Sequence, residues 1–290
     1  MLKRELLRKE IGTEHSDFIW ESNDGLKLYA QSWMPLGDIR GVINLIHGLG
    51  EHSGRYDSWA KKFGNEGFIV RSFDLRGHGH SEGKRGHARS YSRLLHDIET
   101  FLAKSYEEYP DLPHFLYGHS LGGNLVLNYI IRNTTSLKGV IVTSPWLKLT
   151  NPPSPFVLLL ADLFSNIFPG LRVNNTLKAE DLSRDLRVVH EYRTNKFVHN
   201  WISLKLFKQI YFAGLSASTN IYKINVPLIV MHGTDDNITS CKATREFVRN
   251  SSKKTSLIEW EGCYHELHND LDKEKVFNSL LAWLNNQIDQ

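Results

Sequence analysis

The sequence predicts an α/β fold: a mostly parallel central sheet flanked by helices, with an inserted helical cap. Three observations predict it. Near-continuous apolar runs recur at Gly41–Ile46, Phe68–Phe73, Leu137–Ser144 and Val226–Gly233, as strands buried on both faces require. Segments with helical apolar spacing alternate with these runs. The alternation stops for about eighty residues after Pro145 and then resumes. The expected organisation is a first core part at 1–145, a helical cap or lid at 146–224, and a second core part at 225–290.

Composition fits that reading. A chain of 290 residues suits one large α/β domain or two small ones. It is 41% hydrophobic and 23% charged, which supplies a sizeable core and argues against global disorder. The 35 basic and 32 acidic residues leave a net charge of +3, so no nucleic-acid partner is expected. The only cysteines, Cys241 and Cys263, exclude a disulfide scaffold and suit a reducing compartment. A cytoplasmic location is therefore expected. No CxxC or HExxH spacing occurs, so no metal is expected. Met1–Glu10 is basic but lacks the apolar run of a secretory signal. No stretch reaches the roughly 18 apolar residues of a membrane span.

In chain order, Ser16–Ser22 and Leu26–Trp33 read as strands joined by the hairpin turn Asn23-Asp24-Gly25. The Gly41–Ile46 strand ends in His47-Gly48-Leu49-Gly50-Glu51-His52. Glycines after a central strand let a backbone N–H face a neighbouring site; here the Leu49 N–H is the candidate oxyanion donor. Tyr56–Glu66 has helical spacing, and Phe68–Phe73 is the next strand. His78 and His80 follow in the loop Asp74–Ser81. Both a catalytic and a structural role suit them; the structural one is preferred, with Asp74 and Arg76 satisfying the turn's backbone groups. Ser92–Tyr106 is an amphipathic helix, closed by Pro110 and Pro113.

Phe115–Gly123 carries Gly118-His119-Ser120-Leu121-Gly122, a Gly-x-Ser-x-Gly turn between an apolar strand and a helix at Asn124–Ile131. Such a turn strains its central residue and exposes it above the first helical N–H groups. Those donors favour negative charge, and the Leu121 N–H is the second oxyanion candidate. A serine hydroxyl is a weak nucleophile until a base and an orienting acid activate it.

The insert opens with Pro152, Pro153 and Pro155 and continues into the apolar run Phe156–Pro169. That run is expected to line an apolar pocket or lid, or to touch a membrane surface peripherally; packing against the core is the plainer alternative. Arg184–Tyr192 and Trp201–Leu215 are expected to be helices that complete the cap. After the Val226–Gly233 strand, two adjacent carboxylates occur, Asp235 and Asp236. Lys242–Asn250 is a helix and Thr255–Trp260 the last strand. The loop after it bears His265 and His268, and Lys275–Ile288 is the closing helix. The order is serine, acid, histidine, each after the carboxyl end of a predicted strand, where the crevice of an open α/β sheet lies. It is the order of the α/β-hydrolase arrangement. Spacing alone does not choose between the two aspartates or the two histidines.

These residues resemble the monoacylglycerol lipase / lysophospholipase group of α/β-hydrolases, sometimes filed with serine aminopeptidases. The resemblance runs from about Asp17 to the C-terminus. It rests on His47–Tyr56, on Asp74–Ser81, on Gly118–Gly123, on Tyr264–His268, and on the cap fragment Asp181–Asp185 with Tyr192. It implies an α/β-hydrolase fold and a serine esterase of single-chain lipid esters that needs no cofactor. The family's Gly-x-x-Asp loop places the acid at Asp236, and His265 becomes the base. Leu49 and Leu121 form the oxyanion hole. Glu51, Arg55, His119, Tyr192 and His268 match positions near the glyceryl head group. One departure is visible: bacterial relatives often carry Asp-Pro after the cap tyrosine, where this chain has Asn195-Lys196. An aminopeptidase or amidase, an acyltransferase and a non-catalytic receptor or scaffold of the same fold are the rival readings. The thiol of Cys263, two residues before His265, is expected to slow turnover when blocked by bulky reagents if it is exposed, and to be inert if buried.

Overall fold

The computed structural model describes residues 12–251 and 254–289. The N-terminal segment Met1–Glu10, read above as lacking a secretory signal, lies outside the described residues.

The described residues open with an antiparallel hairpin, β1 (Thr13–Glu21) and β2 (Lys27–Pro35). Then β3 (Gly41–Ile46), α1 (Asp57–Asn65), β4 (Phe68–Phe73), α2 (Tyr91–Glu108), β5 (His114–His119), α3 (Leu121–Arg132) and β6 (Gly139–Thr143) follow in alternation. The segment 144–227 comes next. It holds α4 (Pro155–Ile167), β7 (Arg172–Asn174), α5 (Leu186–Thr194), β8 (Trp201–Ser203) and α6 (Leu204–Asn220). The alternation then resumes with β9 (Leu228–Gly233), α7 (Cys241–Arg249), β10 (Thr255–Trp260) and α8 (Lys273–Ile288). The eight-stranded sheet has the order β1-β2-β4-β3-β5-β6-β9-β10. Contacts from β4 through β10 are parallel, and β2 joins β4 antiparallel.

The apolar runs form strands because both faces are covered. Ile43, Leu45, Tyr117, Ile141 and Met231 face one layer with Trp59 and Phe63 of α1 and Val276 and Leu280 of α8. Their alternating neighbours Ile46, Leu116, Val142 and Val230 join the opposite layer with Ile98 and Phe101 of α2 and Leu125 and Val126 of α3. This is the period-two pattern of a strand, applied to two cores. Each such side chain contributes about 1.5–3 kcal/mol relative to exposure. Helices begin where a serine supplies an acceptor: Ser90 for α2, Ser203 for α6 and Ser240 for α7 accept from backbone N–H groups three residues on.

One expectation is corrected here. Trp201–Ser203 is not the first turn of a helix; it is β8, paired antiparallel with β7 as Val173↔Ile202. The helix starts only after Ser203, whose side chain caps it. Exposed apolar side chains concentrate on α4 and just after it: Phe156, Leu159, Leu163, Ile167 and Phe168. Among the described residues no helix is long and apolar enough to cross a membrane.

Candidate active site

β5 ends at His119 and α3 begins at Leu121, so Ser120 alone turns the chain. Its backbone lies at φ 54° and ψ −114°, a conformation that costs a non-glycine residue about 1–3 kcal/mol. Its neighbours hold it there. Ser120 N–H donates to the Thr143 carbonyl, and the Ser120 carbonyl accepts from Asn124 and Trp146 N–H, each at 3.0 Å. A Cβ on Gly122 would run into the Ile46 carbonyl, so glycine is what lets α3 close onto the end of β3.

Two distant loops converge at this turn. The Ser120 Oγ lies 2.9 Å from His265 Nε2, and His265 Nδ1 lies 2.7 Å from Asp236 Oδ2. A charged Asp236 accepts a hydrogen bond from Nδ1–H and so holds the proton on Nδ1, which leaves Nε2 as the acceptor for the serine hydroxyl. All three groups are buried. Burial pushes the Asp236 carboxyl up, but the charges and hydrogen bonds of His265 and His232 outweigh it and hold the group far below the usual carboxylate range. Burial lowers the His265 pKa; the Asp236 charge and hydrogen bond overcome that and raise it above the ordinary 6.5 of imidazole. The base loop is fixed from behind, where Ser144 Oγ donates to the His265 carbonyl at 2.7 Å.

Of the two neighbouring aspartates, Asp236 meets the imidazole. Asp235 is exposed, and its carboxylate accepts from Thr234 Oγ1. The Asp236 Oδ1 accepts from Ile238 and Thr239 N–H at 2.8 and 2.9 Å. A second imidazole also reaches it: His232 Nε2 lies 3.0 Å from Asp236 Oδ2, with Nδ1 2.8 Å from Thr244 Oγ1. His232 was not singled out from the sequence. Its one signal is its place at the end of β9, four residues before the acid.

A cavity of about 780 Å³ opens onto Ser120 and His265. Gly48 and Leu49 line it beside the serine. Leu121 opens α3, so its N–H has no acceptor within the helix. Much of the remaining wall is apolar and comes from segment 144–227: Leu149, Val157, Ala161, Val173, Leu177, Ile202 and Phe207.

Glu51, Arg55, His119 and Tyr192 also line this cavity. The Tyr192 hydroxyl is buried without a hydrogen-bond partner among the described residues, and the Arg55 guanidinium sits 4.9 Å from the centre of its ring. His268 is placed differently. It stacks on Tyr56 at 4.5 Å and lines a second cavity of about 660 Å³, with Arg55, Glu191 and Asn195. Asn195, the departure noted above, donates from Nδ2 to His52 Nε2 at 3.0 Å and so ties segment 144–227 to the loop after β3.

His78 and His80 line neither cavity. Asp74 supports their loop as expected, accepting from His80 N–H at 2.8 Å and also from Ser53 N–H at 2.7 Å. Arg76 does not serve the turn's backbone; its guanidinium pairs with Asp97 and Asp24. Cys263 is buried 3.1 Å from Arg184 Nη2, and burial, with the Asp270 charge next, pushes its thiol up to about 11. The exposed, reactive thiol entertained above is thus excluded in favour of the inert one.

Known proteins share this architecture. A monoacylglycerol lipase of Mycolicibacterium smegmatis is 30% identical over 94% of this chain and 98% of its own length. An abhydrolase domain-containing protein of Dictyostelium discoideum is 36% identical over 92% of this chain, which spans only 29% of that longer protein. The solved structure of the monoacylglycerol lipase of Paleococcus ferrophilus superposes with a TM-score of 0.83 at 32% identity, covering 90% of this chain and 99% of that one. The family model Hydrolase_4, described as serine aminopeptidase, S33, matches residues 37–272. With that match across most of its length, the chain belongs to the S33 serine aminopeptidase family of α/β-hydrolases.

Proposed function

We propose that this protein is a serine hydrolase that cleaves the carboxylic ester of single-chain lipids, monoacylglycerols or lysophospholipids, with Ser120, His265 and Asp236 as its catalytic residues. The observation that carries this reading is the continuous contact from Ser120 Oγ through His265 to Asp236 at the floor of a largely apolar cavity. The lipase names of the relatives described above agree with it.

Ser120 Oγ attacks the ester carbonyl, and its proton passes to His265 Nε2. Asp236 keeps the imidazole in the required tautomer and stabilises the imidazolium. The tetrahedral oxyanion rests on the N–H groups of Leu49 and Leu121, each donor worth roughly 3 kcal/mol in the transition state. The carbon–oxygen bond to the alcohol breaks as His265 returns the proton to it. Water, deprotonated by the same imidazole, then releases the fatty acid and restores Ser120.

Residues 146–224 form the lid over this chemistry, between core parts 1–145 and 225–290. The acyl chain lies along the Val157, Val173 and Phe207 wall, where each buried methylene gains about 0.8 kcal/mol. His119 and Tyr192 border the alcohol side. The exposed apolar face of α4 gives the lid a peripheral contact with lipid surfaces. Flotation with liposomes tests this last point; protein left at the bottom of the gradient removes it.

A substrate panel tests the whole reading. Monoacylglycerol, lysophosphatidylcholine, p-nitrophenyl esters and aminoacyl anilides are compared on wild type and Ser120→Ala. Turnover of the lipid esters, lost in the variant, is expected. Preferential release of aminoacyl anilides would favour the aminopeptidase alternative.

A further inference from the structure

Arg55 sits between the loop that carries Leu49 and the loop that carries His265. Its Nη1 and Nη2 donate to the two oxygens of Glu266 at 2.5 and 2.7 Å, a bidentate pair, and Nη1 also donates to Glu51 Oε2 at 2.7 Å. The three side chains are 8%, 2% and 4% exposed, respectively. A buried bidentate pair of this kind holds a fixed geometry, and breaking one partner leaves an uncompensated charge.

Each end of this bridge holds backbone that the chemistry needs. Glu51 Oε1 accepts from the Gly48 N–H at 2.7 Å and from the Tyr56 hydroxyl at 2.8 Å. That fixes the strand of chain leading into the Leu49 N–H. Glu266 directly follows His265. Its Oε2 also accepts from Asn269 Nδ2, and its N–H donates to the Leu182 carbonyl of segment 144–227, both at 2.8 Å.

We propose that Arg55, with Glu51 and Glu266, is a positioning unit that sets the oxyanion donor on one loop against the base on the other. This differs from the head-group role that family resemblance implies for Glu51 and Arg55. All four carboxylate oxygens of Glu51 and Glu266 already have a donor inside the protein. The bridge is therefore complete within the protein and needs no substrate group to close it. The unit touches no reacting atom; it acts through the Gly48 peptide and through the backbone of His265. The proposal rests on the esterase reading given above.

The test measures kcat and KM for Glu51→Gln, Glu266→Gln and Arg55→Lys on two substrates. One is a monoacylglycerol; the other is a short p-nitrophenyl ester with no glyceryl group. Rates are expressed per serine titrated with a fluorophosphonate, so that loss of folded protein does not count as loss of catalysis. Positioning predicts a kcat drop of roughly 10- to 100-fold on both substrates alike, with KM little changed, as for other small displacements of catalytic groups. It also predicts that the Glu51→Gln/Glu266→Gln double variant loses less than the product of the two single losses, because one bridge is broken either way. A loss confined to the monoacylglycerol and seen as raised KM would overturn the proposal in favour of head-group contact. Unchanged turnover per titrated serine would reduce the unit to a folding role and overturn it equally. Ser120→Ala, run beside these, checks the esterase reading separately: if that variant stays active, it is the reading that fails.

Discussion

His265 presents Nδ1 to Asp236 Oδ2 at 2.7 Å, while the adjacent Asp235 faces solvent with its carboxylate on Thr234. Two neighbouring aspartates therefore have unequal consequences. Asp236→Asn swaps the acceptor for an amide and favours the wrong imidazole tautomer, with an expected loss of about 10⁴-fold in kcat. Asp235→Asn removes an exposed charge and leaves kcat nearly unchanged. Steady-state rates of the two variants check this, and the reverse ranking would refute the acid assignment.

The pH profile follows from the same contact. His265 is active as a base only when neutral, and its pKa is raised above 6.5. The acidic limb of kcat/KM is therefore expected above pH 6.5. Asp236→Asn removes the charge that raises it, so the limb of the residual activity moves to lower pH. A wild-type limb well below 6.5 would be incompatible with a base held by a charged carboxylate.

Acid also threatens the fold through histidines outside the reacting centre. His78 packs against His199 at 4.8 Å and His47 at 5.4 Å, where segment 144–227 meets the loops after β3 and β4. Burial first, then the neighbouring His199 and His47, holds His78 well below 6.5; burial chiefly brings His199 to about 4. Arg85 opposes protonation of both, and Asp74 favours it at His47. The unfolded chain binds protons at these sites below about pH 6.5 and the folded chain does not, so stability is lost as pH falls from 6.5 toward 4. For the fully buried His78 the slope approaches about 1.4 kcal/mol per pH unit. Urea midpoints at pH 7, 6 and 5 should fall, and His78→Gln should flatten the trend. A midpoint constant across this range would contradict the assignment.

The serine turn is sensitive to a single methyl group. In Gly122→Ala the new Cβ meets the Ile46 and His47 carbonyls, and α3 must move away from β3. Overpacking of this kind costs about 1–3 kcal/mol, and here it also displaces Ser120. A lower denaturation midpoint together with a lower kcat is expected; wild-type values of both would show that the turn has slack.

Thiol reagents provide a further check. Cys263 is buried, and burial, with the Asp270 charge next, pushes its thiol up to about 11. Little thiolate exists at pH 8, so bulky reagents should modify Cys263 only on unfolding and leave turnover intact. Rapid stoichiometric labelling of Cys263 in the native enzyme would show that its pocket opens.

Much of the sheet was legible because parallel strands buried on both faces read as unbroken apolar runs. Gly41–Ile46 and Phe68–Phe73 have the same bounds in sequence and structure; so does Thr255–Trp260, although it is a partly exposed edge strand. Trp201–Ser203 was not legible as a strand: three residues carry no period, and the partner at Arg172–Asn174 is distant in sequence. The site divides in the same way. Ser120 announces itself through its glycines, a local signal. Contact with His265 separates Asp236 from Asp235, which sequence spacing could not. Glu266 escaped notice because its importance lies in Arg55, 211 residues away. The available hints were a carboxylate beside the base histidine and the i,i+4 spacing of Glu51 and Arg55. The destination of Arg76 at Asp97 and Asp24 likewise depends on contacts that only the folded chain makes.

The most direct test of the central claim is kcat/KM for a monoacylglycerol in wild type, Ser120→Ala and His265→Ala, each confirmed folded by circular dichroism. If Ser120 is the nucleophile and His265 its base, each variant loses at least about 10⁴-fold. Hydrolysis surviving within tenfold of wild type in either folded variant would contradict the account.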